Sequence, residues 1–343
     1  MTAPHLTPAG PPPSSWAVAD CHNDLLMAVR YLRERGHVDP FGDAWLPQLR
    51  AGGVRLQVLP VCTEEQYVGE GALRRSLLML AEARHLAAVH ADAVVIVEEA
   101  AAIAPSLESG RIVLLLALEG AEPIGHSLEI LDALHRVGIR MCSLSWNRRT
   151  LLADGVAEQD TGGRLTGLGV AAVARLEELR IMVDVSHLSP AGFDHLAEVA
   201  TRPFIASHSS CQALVDHPRN LSDVQLRVMA ETGSMVCLNA FGPFVADADP
   251  DVHRYIDHIE HALGILGPDL VGLGTDFITD IADVVDPVFT GLLVDPATIP
   301  HTRDLQRPAD FPRLVPALRD RLGDDLAAKV LGTNLPRFLA EHL

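Results

Sequence analysis

Three histidines and two carboxylates in this sequence follow or end short apolar runs. The first run ends in His22-Asn23-Asp24, Glu119 ends the run LLLALE, and His187 and His208 close the runs VDVSH and FIASH. Side chains two positions apart on a strand share one face, so His22 and Asp24 can reach one cation. Imidazole and carboxylate ligands without a thiolate favour zinc, with manganese or iron as alternatives. The set is large enough for a centre of two metal ions.

A centre of this kind would carry out hydrolysis. Two metal ions about 3.5–4 Å apart share a hydroxide, lower its pKa and polarise a carbonyl or phosphoryl group of the substrate. Glu119 supports this interpretation, because the run that it ends is too apolar to hold an unpaired carboxylate cheaply. A polar residue at a strand end is often only a hydrogen-bonded structural group. Here, however, further runs also end in polar residues, at Asn239 and Asp276.

The elements that must position these residues are β-rich runs that alternate with helical stretches. The runs are 16–22, 54–61, 112–119, 139–146, 181–187, 203–208, 234–239 and 270–276, and a further run at 93–97 is expected to be a peripheral strand. This alternation predicts an α/β protein with a parallel sheet, either closed as a (β/α)8 barrel or open and doubly wound. Barrel enzymes place their chemistry at the carboxyl ends of the strands, where the polar residues stand. No G-x-G-x-x-G follows the first strand and no Walker A motif is present, so nucleotide-binding signatures are missing.

Composition excludes several classes of partner. The 343 residues are 48% apolar and carry a formal net charge of −18, which repels nucleic acid and anionic membranes. The run at 112–118 is far shorter than the ~20 residues of a membrane helix, so no membrane partner is expected. Five scattered cysteines without a C-x-x-C spacing favour reduced thiols and a cytoplasmic location. We expect a flexible Pro-rich leader at 1–15 and a single domain at 16–343.

Seven segments of the chain resemble the membrane (renal) dipeptidase family, peptidase family M19. They are DCHNDLL (20–26), LPQLRAGGV (46–54), ALEGAEPIG (117–125), MVDVSHLS (182–189), PFIASHSSCQAL (203–214), HPRNLSD (217–223) and GLGTDF (272–277). The pieces SHSS and HPRNLSD together are the most specific. The resemblance implies a bacterial-type soluble member with a (β/α)8 TIM barrel of the metal-dependent hydrolase type. It also implies two zinc ions per subunit.

The resemblance assigns a role to each candidate ligand. It implies that His22 and Asp24 bind one zinc ion, that His187 and His208 bind the other, and that Glu119 bridges the two. Because members of the family are often dimers, it also raises a homodimer as one assembly of this chain.

Two further residues acquire catalytic and binding roles from the resemblance. Arg219, in the segment HPRN, matches the arginine that holds the terminal carboxylate of the substrate. A planar guanidinium suits that bidentate task. Asp276 matches the carboxylate that exchanges protons with the bridging hydroxide and the leaving amine, a task that needs a pKa tuned by its surroundings.

This sequence departs from the family pattern on the substrate side. Trp146 stands where the family often has a histidine that stabilises the oxyanion, and the neighbouring Asn147 is a hypothetical substitute for it. An indole donates only one uncharged hydrogen bond, so the departure weakens that function. Ile278 replaces the second carboxylate of D-F-D-G, and Phe244 stands near the position where some members use a tyrosine to contact the substrate. Cys21 replaces a glycine and is expected to point away from the barrel interior.

These observations predict a zinc-dependent dipeptidase whose partner is a small dipeptide, with a C-terminal D-residue as one option. The altered residues on the substrate side keep a second hypothesis open, in which the same metal centre cleaves a lactam, a lactone or a specialised peptide conjugate. A third hypothesis is a relic that binds a peptide or metal without turnover. The complete ligand set disfavours it, because unused buried carboxylates and imidazoles are costly.

Overall fold

The strands form a closed parallel barrel in the computed structural model, which describes residues 16–282, 284–285 and 301–343. Strand bounds are β1 (Val18–Asp20), β2 (Val54–Cys62), β3 (Val94–Ile96), β4 (Ile112–Glu119), β5 (Ile139–Ser143), β6 (Met182–Asp184), β7 (Ile205–Ala206), β8 (Met235–Leu238) and β9 (Val271–Leu273). The pairings β2–β4 and β1–β9 close the ring, whereas β3 pairs with β4 and lies outside it. The (β/α)8 barrel and the peripheral strand are confirmed, and the open, doubly wound alternative is wrong.

Helices follow the strands along the chain. Their bounds are Leu25–Glu34, Leu46–Ala51, Gly71–Val89, Ile103–Glu108, Glu129–Arg136, Gly167–Glu178, Pro190–Val199, Asp223–Glu231, Gly242–Val245, Val252–Leu266, Thr279–Ala282, Phe311–Leu322, Asp324–Ala328 and Asn334–His342. Several begin at a side-chain cap, as where Ser222 and Gln225 form a capping box. Within the described part of the chain, no helix has both the length and the hydrophobicity needed to cross a bilayer. The predicted leader at 1–15 lies outside the described residues.

Alternation along β4 shows how the strands divide the core into two layers. Val113, Leu115 and Ala117 belong to an inner cluster with residues of the other strands, whereas the residues between them pack outward. Period-two alternation then turns the last residue, Glu119, toward the barrel interior. Phe338, in the final helix, joins the inner cluster. Because the chain just before that helix approaches the start of β1, the helix closes the amino-terminal end of the barrel and leaves the carboxyl end for the site.

The prediction that Cys21 points outward is wrong. Cys21 is fully buried in the inner cluster together with Ala19 and Cys237. The prediction assumed that Asp20 and His22 face the interior as members of a regular strand. In the structure β1 ends at Asp20, whose carboxylate bonds to neighbouring strands, and the chain bends before His22.

Asp20 joins β1 to β9, where the barrel seam is short. The two strands share a single register pair, between Asp20 and Leu273. The buried carboxylate accepts hydrogen bonds from the Thr275 amide at 2.8 Å, the Thr275 hydroxyl at 2.9 Å and the Gln57 side-chain amide at 3.1 Å. Burial is the main influence on this group and raises the pKa of Asp20 to about 6. Side-chain bonds therefore replace missing ladder bonds at the seam, next to Asp276.

Replacing Asp20 with alanine should destabilise the barrel. The Thr275 amide and hydroxyl would lose their acceptor inside a buried seam, and Gln57 would keep only backbone acceptors, at a cost of about 2–3 kcal/mol in the free energy of unfolding. Urea denaturation of Asp20→Ala beside Asp247→Ala, which removes an exposed aspartate, measures the effect. Equal midpoints for the two variants would show that the seam does not depend on Asp20.

Candidate metal centre

The five residues predicted as ligands converge at the carboxyl end of the barrel. One oxygen of Glu119, Oε1, lies 2.9 Å from Nε2 of His187, 3.4 Å from Nε2 of His208 and 3.7 Å from Nε2 of His22. The Asp24 carboxylate lies 3.6 Å from the same His22 nitrogen. These residues come from the ends of four strands, as the sequence predicts, and the structure brings all five together.

Local backbone geometry explains how two of them reach the centre. Asn23 accepts a hydrogen bond from the Leu25 amide at 3.0 Å, which turns the chain from β1 into the first helix with Asp24 at the turn. His187 has a φ of 71°, in the left-handed region that non-glycine residues rarely occupy. Such strain costs about 1–3 kcal/mol and persists only where surrounding contacts enforce it, commonly at functional sites.

Hydrogen bonds fix the orientation of the two histidines nearest Glu119. His208 Nδ1 lies 2.7 Å from the Ser207 hydroxyl, and that hydroxyl donates to Asp184 at 2.5 Å. His187 Nδ1 lies 2.7 Å from the side-chain oxygen of Asn147. Both Nδ1 atoms therefore act as donors, which leaves the lone pair of each neutral ring on Nε2.

The two Nε2 lone pairs then face each other at a separation of 2.8 Å. Burial lowers the pKa of His187 and of His208 well below the usual range, so both rings are neutral at pH 7. Two lone pairs and the Glu119 carboxylate consequently point into one small space. A cation in that space satisfies all three groups, because each of them is a metal ligand.

On the other side of Glu119, His22 and Asp24 also present buried polar atoms that a metal ion would satisfy. His22 Nε2 and Asp24 Oδ1 are buried and have no hydrogen-bond partner within the described ranges. Burial lowers the pKa of His22, but the neighbouring carboxylates outweigh burial and raise it to about 10. Ligand atoms of His22, Asp24 and Asp276 lie within 4.8 Å of one another, as do those of His22, Glu119 and His208. The nitrogen and oxygen donors present thus fit divalent metal ions of the zinc type.

Burial also tunes the two carboxylates that face this space. It raises the pKa of Glu119 to about 8 and raises the pKa of Asp276 as well, with the charge of His22 opposing the effect in both cases. Asp276 Oδ2 accepts a hydrogen bond from Asn239 at 3.0 Å, and Oδ1 lies 3.9 Å from His22 Nε2. Asp276 itself has a φ of 53°, which is the second strained residue at the site.

Arg219 is buried beside the metal ligands. Its guanidinium donates to the His208 carbonyl at 3.1 Å and to the Ser209 hydroxyl at 3.2 Å, whereas Nε has no partner among the described residues. Burial lowers the pKa of Arg219 to about 10, so the group remains cationic at neutral pH. A fixed positive charge therefore contacts the backbone of His208, one of the predicted metal ligands.

A cavity of about 340 Å³ opens onto the metal centre and holds the other predicted residues. Trp146, Asn147, Arg219 and Phe244 all line it. The Trp146 ring lies 5.7 Å from the His187 ring and is covered by the Arg148 guanidinium at 5.1 Å. Asn147 contacts His187, so its side-chain oxygen orients a ligand from this position.

Sequence reasoning missed the residues that support the ligands. Asp184 ends a buried strand, and it accepts hydrogen bonds from the hydroxyl and the amide of Ser207, which directly follows the next strand. The signal available was a carboxylate in the apolar run MVD, followed one strand later by a serine directly before a histidine. Asn239 was recognised as a polar strand end, but its bond to Asp276 was not foreseen.

Comparison with known proteins agrees with the geometry. The sequence profile of the family described as membrane dipeptidase (peptidase family M19) matches residues 14–342. Dipeptidase tcpJ of Claviceps purpurea is 26% identical, over 94% of this chain and 76% of that protein. A metallo peptidase from Rhodobacter sphaeroides, solved with a phosphinate mimic of L-Ala-D-Ala, is 26% identical with a TM-score of 0.83, covering 96% and 99% of the two chains. Dipeptidase AC, a metallo peptidase, is 27% identical with a TM-score of 0.82 over the same shares.

Replacing Ser207 with alanine should weaken metal binding. His208 would lose the acceptor that fixes its tautomer, and loss of such a contact typically lowers metal affinity about 10–100-fold. Competition of the metal-free protein with a chromogenic chelator for zinc measures the dissociation constant directly. Ser210→Ala is the matched control, because that buried hydroxyl donates to a backbone carbonyl instead. Equal zinc affinities for both variants would contradict the role assigned to Ser207.

Proposed function

This chain belongs to the membrane dipeptidase family, and from that membership we propose that it hydrolyses the peptide bond of dipeptides with two zinc ions. The observation that carries the proposal is the position of Arg219 in the same cavity as the ligand set. A guanidinium binds the free carboxylate of a peptide through two parallel hydrogen bonds. Because Arg219 bonds to the carbonyl of His208, the carboxylate is held close to the metal centre. This geometry favours a substrate with one residue beyond the scissile bond.

Metal ions bound by the five ligands would supply an activated hydroxide and polarise the scissile carbonyl. Residues of the chain position the substrate and transfer the proton. Arg219 holds the terminal carboxylate and so fixes the scissile bond relative to the ligands. Asp276 carries the proton for the leaving amine nitrogen, and burial raises its pKa, which suits a carboxylate that must take up and release a proton. Asn239 holds Oδ2 of that carboxylate and leaves Oδ1 facing the centre.

The stereochemistry of the C-terminal residue is a finer part of the proposal. The Rhodobacter sphaeroides relative was solved with a mimic of L-Ala-D-Ala, which supports D-residues as acceptable at this position. Paired L,L and L,D dipeptides of the same composition test this choice directly.

The second hypothesis of the sequence, a lactam or lactone substrate, draws support from the apolar side chains of Trp146 and Ile278 in the cavity. A lactam without a free carboxylate would make no use of Arg219. Turnover of lactams that survives in Arg219→Gln, together with lost dipeptide hydrolysis, would favour this alternative.

Metal removal should abolish dipeptide hydrolysis. Dialysis against a strong chelator is expected to leave a folded, inactive protein, and adding back about two equivalents of zinc per chain should restore the activity. Hydrolysis of an L,L and an L,D dipeptide is followed together with zinc content. Full activity in the metal-free protein would exclude the proposed function.

Replacing Asp276 with asparagine should lower kcat while the protein still folds. Loss of a general acid–base group typically costs about 10²–10⁴-fold in rate. The control is Asp280→Asn, four residues along, where the carboxylate bonds to Gln48 and Arg307 outside the cavity lining. Zinc content is measured for both variants to separate loss of proton transfer from loss of metal. Unchanged kcat in Asp276→Asn at full zinc content would remove Asp276 from the mechanism.

A further inference from the structure

The cavity outside the metal centre is lined mostly by apolar side chains. Among its described lining residues, the polar groups that do not belong to the ligand set or to Asp276 are Asn147, His217 and Arg219. Asn147 is engaged with His187, and Arg219 is the residue assigned to the terminal carboxylate. A substrate side chain entering this cavity therefore meets hydrocarbon over most of its surface.

Three aromatic rings form one wall of the cavity beside Arg219. We name His217, Phe241 and Phe244 the aromatic wall. The Phe244 ring lies 4.5 Å from the His217 ring and 4.8 Å from the Phe241 ring, and the Arg219 guanidinium lies 5.7 Å from the Phe244 ring centre. These separations are typical of packed aromatic pairs. The wall thus adjoins the point where the C-terminal residue of a dipeptide would be anchored.

Hydrogen bonds from neighbouring side chains hold the aromatic wall in place. Asn220, next to Arg219 in sequence, donates to the Phe244 carbonyl at 3.0 Å. Asn239 accepts from the Phe241 amide at 2.7 Å with its side-chain oxygen, while its nitrogen donates to Asp276. Because these rings are already fixed, little conformational entropy is lost when a side chain packs on them.

The charges around the wall disfavour polar side chains. Burial, followed by the charge of Arg219, lowers the pKa of His217, so this ring is neutral at pH 7. An acidic side chain would have to share Arg219 with the terminal carboxylate, and a basic side chain would face the cation of Arg219. In both cases a charged group would be desolvated beside the wall, because the carboxylates that line the cavity are the predicted ligands Asp24 and Glu119 and the proton carrier Asp276.

Resting on the proposed dipeptidase function, we propose that the aromatic wall receives the side chain of the C-terminal residue and selects an apolar, preferentially aromatic, residue there. The selected substrate class is a dipeptide with phenylalanine or a large aliphatic residue at its C-terminus. Phe244 is the specificity-determining residue, since it contacts both other rings and lies over Arg219.

A substrate panel tests the selectivity. Gly-Phe, Gly-Leu, Gly-Gly, Gly-Asp and Gly-Lys are compared with the zinc-loaded enzyme, and kcat/KM for Gly-Phe should exceed that for Gly-Gly by about 10–100-fold, as expected for burying a large apolar side chain. Gly-Asp and Gly-Lys should be no better than Gly-Gly. Equal values across the panel, or a preference for Gly-Asp, would overturn the selectivity and leave the dipeptidase function standing. Failure to hydrolyse any of these dipeptides, or the counterparts of Gly-Phe and Gly-Leu with a C-terminal D-residue, would instead overturn the proposed function.

Substitution of Phe244 tests the residue itself. Phe244→Ala should raise KM for Gly-Phe about tenfold or more with little change in kcat, because the wall binds the ground state and the transition state alike. Gly-Gly, which has no side chain to place on the wall, is the internal comparison, and its kcat/KM should fall much less than that of Gly-Phe. Phe244→Leu should recover part of the Gly-Phe preference. Equal losses for Gly-Phe and Gly-Gly at full zinc content would mean that Phe244 only supports the fold and would overturn its assignment.

Discussion

Glu119 ends an apolar strand inside the barrel, and its carboxylate lies within 3.7 Å of a nitrogen atom in each of three histidines. At these distances the carboxylate and the Nε2 lone pairs of the neutral His187 and His208 rings repel one another unless positive charge lies between them. Burial makes the conflict severe, because water cannot screen it. The buried Glu119 carboxylate and its histidine neighbours therefore require cations at the carboxyl end of the barrel. The surrounding residues fix the positions at which such cations would bind.

This requirement for cations explains the polar side chains that bond to the predicted ligands. Asp184 acts through Ser207 on His208, and Asn147 acts on His187, so each ring presents its lone pair to the centre. These buried polar groups are tolerated because they bond to one another between adjacent strands. Ser207 also donates its backbone amide to Asp184 across the β6–β7 boundary. Groups that hold a ligand in a fixed rotamer reduce the reorganisation needed when metal binds.

The barrel and the convergence of the five predicted ligands follow from the sequence for the same physical reason. Apolar runs that alternate with helical stretches specify a parallel barrel, and a polar residue just beyond such a run must emerge at its carboxyl end. Glu119 and His208 are clear examples. The supporting network could not be predicted, since the contact between Asp184 and Ser207 depends on the stagger of β6 against β7. Cys21 was misplaced because the end of β1, and the bend after it, are set by the side-chain bonds of Asp20.

The aromatic wall and the metal centre are parts of one connected unit. The ring of His208 faces the candidate metal centre, and its backbone carbonyl accepts a hydrogen bond from Arg219. Asn220, beside Arg219, bonds to the backbone of Phe244, whereas Asn239 bonds to both Phe241 and Asp276. The positions of Arg219, Asp276 and the aromatic wall relative to the five predicted ligands are thus set by the same few hydrogen bonds. In the proposed dipeptidase, a shift of any one of these bonds would displace the scissile bond from the metal centre, which would couple substrate length and side-chain preference to catalysis.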